Sequence, residues 1–253
     1  MTYDEIPAVR RSDLWELRKS PQHYIYAVTH PWESTPAMTF GTAAHKYILE
    51  TDDFWKTYSL APEVDRRTKD GKARWNQYLN ELAETGKSSI SISDYVIIQD
   101  MNNAILENPT ATALLKSGDH EVPIEWEDWK TGEPCKCRPD CITTYKGEKY
   151  IVDYKTTTSC EDGHFERACR MYGYKLQAAM YCEGVFSHTF ELHRFAFVAQ
   201  EKKPPYAVRV YFCDDGFIEE GSDLFRELIE IYHQCKTSGK WPGYEDKELI
   251  GDD

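Results

Sequence analysis

Apolar and polar positions along the chain change period several times, and each change predicts an element. Across residues 10–30, Ser12 is a candidate N-cap for DLWELRKS, and Ser20-Pro21 closes one helix and opens the next. Thr35-Pro36 begins another helix, in which Gly41, Ala43 and Ala44 permit close packing and His45 shares a face with Gly41. The run Asp65-Arg66-Arg67-Thr68-Lys69, with Lys72 and Arg74 beyond it, predicts a basic connecting loop. Helical spacing returns near 74–85 and 93–116, with Tyr95, Ile98, Met101 and Ile105 turned to the core. Residues 121–129 alternate instead, Val122, Ile124 and Trp126 opposite Glu121, Glu125 and Glu127. That period is a strand's, and it is expected to lead through Thr131-Gly132 into the central hairpin.

Further on, a helix is expected over 162–184, with Tyr174, Gln177 and Tyr181 on one stripe. A glutamine in such a stripe is hard to explain as core, because a buried amide must find partners. HTFELHRFAFVAQ and YAVRVYFCD read as strands separated by Lys202-Lys203-Pro204-Pro205. An amphipathic helix over about 215–236 and an acidic tail ending Gly251-Asp252-Asp253 follow. The alternation of elements predicts an α/β fold, a central mixed β-sheet flanked by helices. We expect one domain over 1–253: a helical part to about 118, a sheet core over 119–213, and the last helix and tail from 214.

The stretch from Arg138 to Thr158 carries the candidate chemistry. Two strands join at Tyr145-Lys146-Gly147-Glu148, and alternation puts Ile151, Asp153 and Lys155 on one face, Tyr150, Val152 and Tyr154 on the other. Asp140 can swing in across the hairpin beside Asp153 and Lys155. Two carboxylates and an ammonium on one small patch suit a divalent cation, since Mg²⁺ takes hard oxygen ligands and works alongside substrate phosphate. An ordinary surface ion pair on an exposed hairpin is the competing explanation. Glu121 and Glu125 are near enough to reach such a site, but solvent is their expected environment.

Composition narrows the reading only in places. The chain has 253 residues, a formal net charge of -13 and eight cysteines. The negative charge argues against indiscriminate nucleic-acid binding, so any such function must rest on a local site. The absence of a long apolar run or a signal-like start leads us to expect a cytoplasmic protein with no membrane partner and reduced cysteines. Cys135, Cys137 and Cys141 are spaced unlike zinc or ferredoxin ligands, and alternation puts Cys135 and Cys137 together as small core residues.

Four pieces occur in order: GTAAH, RPD, VDYKTT and QAAMY. This order is similar to the RecB-type nucleases of the PD-(D/E)XK superfamily. The phrases CKCRPD and SDLWELRKSP resemble, more narrowly, the exonuclease VIII (RecE-type) exonucleases of phages and prophages. The resemblance implies that His45, Asp140 and Asp153 bind Mg²⁺ (Mn²⁺ substituting), with the Tyr154 carbonyl as a further ligand. It implies Lys155 as the catalytic lysine, with Gln177 and Tyr181 supporting the site or touching DNA. It also implies digestion of linear double-stranded DNA from 5′ ends, leaving 3′ strands for a single-strand annealing protein, and a homo-oligomeric ring. Some RecB-like relatives hold an iron–sulfur cluster with cysteines from both ends of the domain. No cysteine precedes Cys135 here, so that arrangement is not expected. The rival readings are an endonuclease or single-strand nuclease, and a non-catalytic DNA-binding module that would have no use for Lys155 between two acids.

Overall fold

The computed structural model describes residues 3–30 and 34–246, so the acidic tail ending at Asp253 lies outside the described residues. Helix α1 (Arg11–Leu17) starts from Arg10, whose amide donates to Asp13 Oδ2 at 3.0 Å. Ser12, expected as the cap, is inside the first turn. Helices α2 (Pro21–Thr29) and α3 (Pro36–Leu49) begin as their sequences predict, with the Ser20 and Thr35 hydroxyls accepting the His23 and Met38 amides. Helix α4 (Thr51–Thr57) leads into strand β1 (Tyr58–Leu60). The basic run is then only partly a loop. Thr68 accepts the Gly71 amide at 3.0 Å and starts α5 (Lys69–Thr85), so Lys69, Lys72 and Arg74 are helical. Strand β2 (Ser88–Ile90) pairs in parallel with β1, a small sheet that three-residue strands did not advertise.

Pro109 divides the helix expected over 93–116 into α6 (Ile92–Leu106) and α7 (Pro109–Leu115), since proline has no amide to continue a helical ladder. Ile98, Met101 and Ile105 on α6 are fully buried, as their spacing predicts.

Strand β3 (Asp119–His120) joins the main sheet, whereas β4 (Ile124–Glu127) and β5 (Pro134–Cys137) form an antiparallel ribbon of their own. The strand expected to run from 121 into the central hairpin therefore turns back one step earlier. The hairpin itself is β6 (Cys141–Tyr145) and β7 (Glu148–Thr157), linked by Lys146 and Gly147 at φ of 51° and 84°. Positive φ at both positions matches the right-handed strand twist. Helices α8 (Asp162–Tyr172) and α9 (Tyr174–Thr189) cross over to β8 (Arg194–Glu201), which runs parallel to β7. Residues 188–193, expected as strand, are the end of α9 and its exit. Strand β9 (Val208–Phe212) and helix α10 (Asp215–Ser238) complete the order. The sheet reads β3-β6-β7-β8-β9 and is mixed, with helices on both faces. One face buries Ile151, Phe195 and Phe197 against residues of α1, α9 and α10; the other buries Tyr150, Val152 and Val198 against α3 and α7. Among the described residues no helix is long and apolar enough to cross a membrane.

The single helix expected over 162–184 breaks at Gly173, which has φ of 69°. A Cβ there would lie 2.3 Å from the Trp15 ring, so α1 can approach the elbow only because glycine occupies it. Gly173→Ala is expected to destabilise the protein by roughly 2–5 kcal/mol, from left-handed backbone strain and overpacking together. Urea unfolding would measure it, and a loss well under 1 kcal/mol would mean that Trp15 moves aside freely.

Candidate active site

Strand β7 is the platform. Its alternation sends Tyr150, Val152 and Tyr154 into one core and keeps Ile151, Asp153 and Lys155 on the opposite face. Strand β6 ends its pairing at Cys141, opposite Val152. The Tyr154 amide, just past that point, donates instead to Asp140 Oδ2 at 2.7 Å. The end of one strand thus fixes the carboxylate of the residue before it. The Tyr154 side chain belongs to the far core, where its hydroxyl donates to Gln200 Oε1 at 2.6 Å, and its ring centroid lies 6.2 Å from that of His45.

Helix α3 brings His45 in, with Nε2 2.9 Å from Asp140 Oδ2 and Nδ1 3.6 Å from Glu121 Oε1. Glu121 overturns an expectation: it faces this site and not solvent, while Glu125 is exposed as predicted. The cause is local. Glu121 adopts φ of 54°, and its amide donates to the Asp140 carbonyl at 3.3 Å. The chain swivels there between β3 and β4, so alternation counted through residue 121 assigns the wrong side. Ligand atoms of His45, Glu121 and Asp140 all lie within 4.8 Å of one another.

Asp153 sits beside this group with its side chain 1% exposed. The Lys155 ammonium pairs with Oδ1 and lies 5.1 Å from the centroid of the Tyr174 ring. Gln177 donates its amide to Asp153 Oδ2, which answers why a glutamine occupies that stripe of α9. Tyr181, one turn on, packs its ring 6.5 Å from Phe195 and belongs to the core beneath the site.

Burial and charge work against each other here. Burial pushes the Asp153 carboxyl up to about 6; Lys155 opposes this and Asp140 adds to it. Burial also raises Glu121, reinforced by the Asp140 charge. Asp140 would rise too, but His45 and Lys155 hold it below the ordinary carboxylate range. Burial alone would lower His45, yet Asp140, Glu121 and Asp153 lift it to about 9. Negative charge is therefore in excess, and protons are held to offset it.

A divalent ion fits this donor set. Glu121 Oε1 and Asp153 Oδ1 are buried oxygens without a hydrogen-bond partner, although the Lys155 ammonium adjoins the second. Oxygen donors with one imidazole suit Mg²⁺ or Mn²⁺. Replacing Glu121 by Gln keeps the size and removes one charge. Divalent affinity is expected to fall roughly 10–100-fold and the His45 pKa to drop; calorimetry and NMR titration would test both, and unchanged affinity would remove Glu121 from the ligand set. The cysteines take no part. Cys135 and Cys137 share one core and Cys141 lies in the other, with burial raising each thiol.

Among solved structures, the chain is similar to a protein from Eubacterium rectale described as a candidate exonuclease. The match has 15% identity and a TM-score of 0.63, covering 99% of this chain and 96% of that one. At that identity the likeness shows a shared fold. A second structure, SSO0001, is 15% identical over 86% of this chain and 84% of its own, with a TM-score of 0.32 that supports no argument. No curated protein matches the sequence. Residues 11–250 match the family described as a PDDEXK-like domain of unknown function (DUF3799), and this chain belongs to that family.

Proposed function

We propose that this protein is a metal-dependent deoxyribonuclease that degrades linear double-stranded DNA from its ends, 5′ to 3′. The observation that carries the reading is the convergence of His45, Glu121 and Asp140 on one point, with Asp153 and Lys155 alongside. Membership of a PDDEXK-like family agrees with it, as does the description of the E. rectale neighbour. The end dependence, the 5′ polarity and the production of 3′ strands for an annealing protein rest on the resemblance to exonuclease VIII, as does a ring around the DNA.

The residues have separable tasks. His45, Glu121, Asp140 and Asp153 would hold the ion. When bound, a divalent ion polarises the phosphoryl group and lowers the pKa of water. Gln177 fixes the rotamer of Asp153, and the Tyr154 amide fixes that of Asp140, so neither carboxylate reorganises during reaction. Lys155 places positive charge where the phosphoryl oxygens gain negative charge as water attacks phosphorus and the bond to the 3′ oxygen breaks.

Incubation of 5′-phosphorylated linear duplex with Mg²⁺, beside a closed circle of the same sequence, tests the proposal. Loss of the linear DNA alone is expected. Cutting of the circle would keep the chemistry and sink the end dependence, and the survival of both would favour a DNA-binding module.

A further inference from the structure

We propose that Arg138 engages a backbone phosphate of the DNA at the mouth of this site. The inference deepens the nuclease reading and rests on it. Arg138 Nε lies 2.8 Å from Glu121 Oε2, which puts the guanidinium at the edge of the His45, Glu121 and Asp140 group. Its flat face lies 4.9 Å from the centroid of the Tyr3 ring. These contacts use Nε and the plane of the fork, and 43% of the side chain remains exposed.

Two neighbouring lysines are less available. Lys155, which pairs with Asp153, has a side chain only 20% exposed. Lys136 is buried, with its ammonium donating to the Tyr3 and Ile6 carbonyls at 2.8 Å each. That burial has a use. Lys136 ties down the amino-terminal segment, the segment carries the Tyr3 ring, and the ring supports the Arg138 guanidinium. A long cationic side chain is therefore held in one place before substrate arrives, and holding it beforehand reduces the ordering cost of binding.

The electrostatics call for such a residue. A chain of net charge -13 with a carboxylate cluster at its centre repels a polyanion unless a cation stands at the lip. Arginine suits that position better than lysine, because its planar fork donates to phosphate oxygens in pairs and never deprotonates. Glu121 then serves two neighbours: Oε2 orients Arg138, and Oε1 points toward the ion site.

The test is fluorescence anisotropy of 5′-phosphorylated duplex DNA with Ca²⁺ in place of Mg²⁺, over a salt series, for wild type, Arg138→Gln and Arg138→Lys. Arg138→Gln is expected to weaken binding about tenfold and to reduce the slope of log K against log salt by about one. Arg138→Lys should keep the slope, since the charge remains, and lose part of the affinity. In parallel, Ca²⁺ affinity without DNA should stay within about threefold of wild type in both variants, unlike the larger losses expected when a residue mainly orients a ligand. An unchanged DNA affinity and slope in Arg138→Gln would overturn the inference. A fall in Ca²⁺ affinity with the salt slope intact would also overturn it, since Arg138 would then act only through Glu121. Wild-type protein that bound no DNA would instead overturn the nuclease reading, and this inference with it.

Discussion

Lys155→Ala is expected to lower turnover of linear duplex DNA by about 10²–10³-fold, the usual loss on removing one group that stabilises charge in a transition state. DNA binding and thermal stability should change little. Lys155 lies near the end of β7, beside Asp153 Oδ1 and over the Tyr174 ring, and Asp153 can take up a proton when the ammonium is removed. The loss should appear in kcat more than in KM, because in the proposed role Lys155 opposes charge that is larger in the transition state than in bound substrate. Removing the ammonium also removes the main influence that lowers the Asp153 pKa, so Asp153 should hold its proton to a higher pH. A variant with near-normal turnover would show that the reacting phosphate lies elsewhere.

Divalent-ion binding to the metal-free protein should strengthen steeply as pH rises. The sign follows from which forms can ligate: neutral imidazole and ionised carboxylate. His45, lifted to about 9 by Asp140, Glu121 and Asp153 against the pull of burial, carries a proton at neutral pH that an arriving ion must displace. Asp153, pushed up to about 6 by burial, holds a second proton below that pH. Between pH 6 and 9, affinity is expected to change about tenfold per pH unit, since one proton is exchanged, and more steeply below 6. Calorimetry in buffers of different ionisation enthalpy would count the protons released. A pH-independent affinity with no release would mean that His45 is not a ligand, and Asp140→Ala, which removes the strongest influence raising His45, should flatten the profile.

The local elements were legible because their causes are local. Alternation in β7 placed Asp153 and Lys155 on one face without any knowledge of neighbours, and the capping residues Ser20 and Thr35 marked helix starts correctly. Pro109 and Gly173 were visible too, but helical periodicity on both sides hid the breaks. At Gly173 the deciding fact is the Trp15 ring, supplied by a helix more than 150 residues away. The separation of β4 and β5 from the main sheet, and the pairing of β1 with β2, depend on which strand edges meet, and a single chain segment does not encode that.

The site divides in the same way. Sequence by itself determined the residue types and their order: a histidine on an early helix, an aspartate before the hairpin, Asp-x-Lys on its second strand, and a glutamine on the following crossover. Tertiary structure alone decided how they meet. His45 reaches Asp140 only because α3 packs against the hairpin, and Asp140 is fixed only because β6 ends where the Tyr154 amide needs an acceptor. Glu121 shows the division most sharply. Periodicity sent it to solvent, and one positive φ, set where β3 leaves the sheet, turned its carboxylate inward. A face pattern persists only as far as the backbone keeps one conformation, so residues that follow a swivel are placed by the fold.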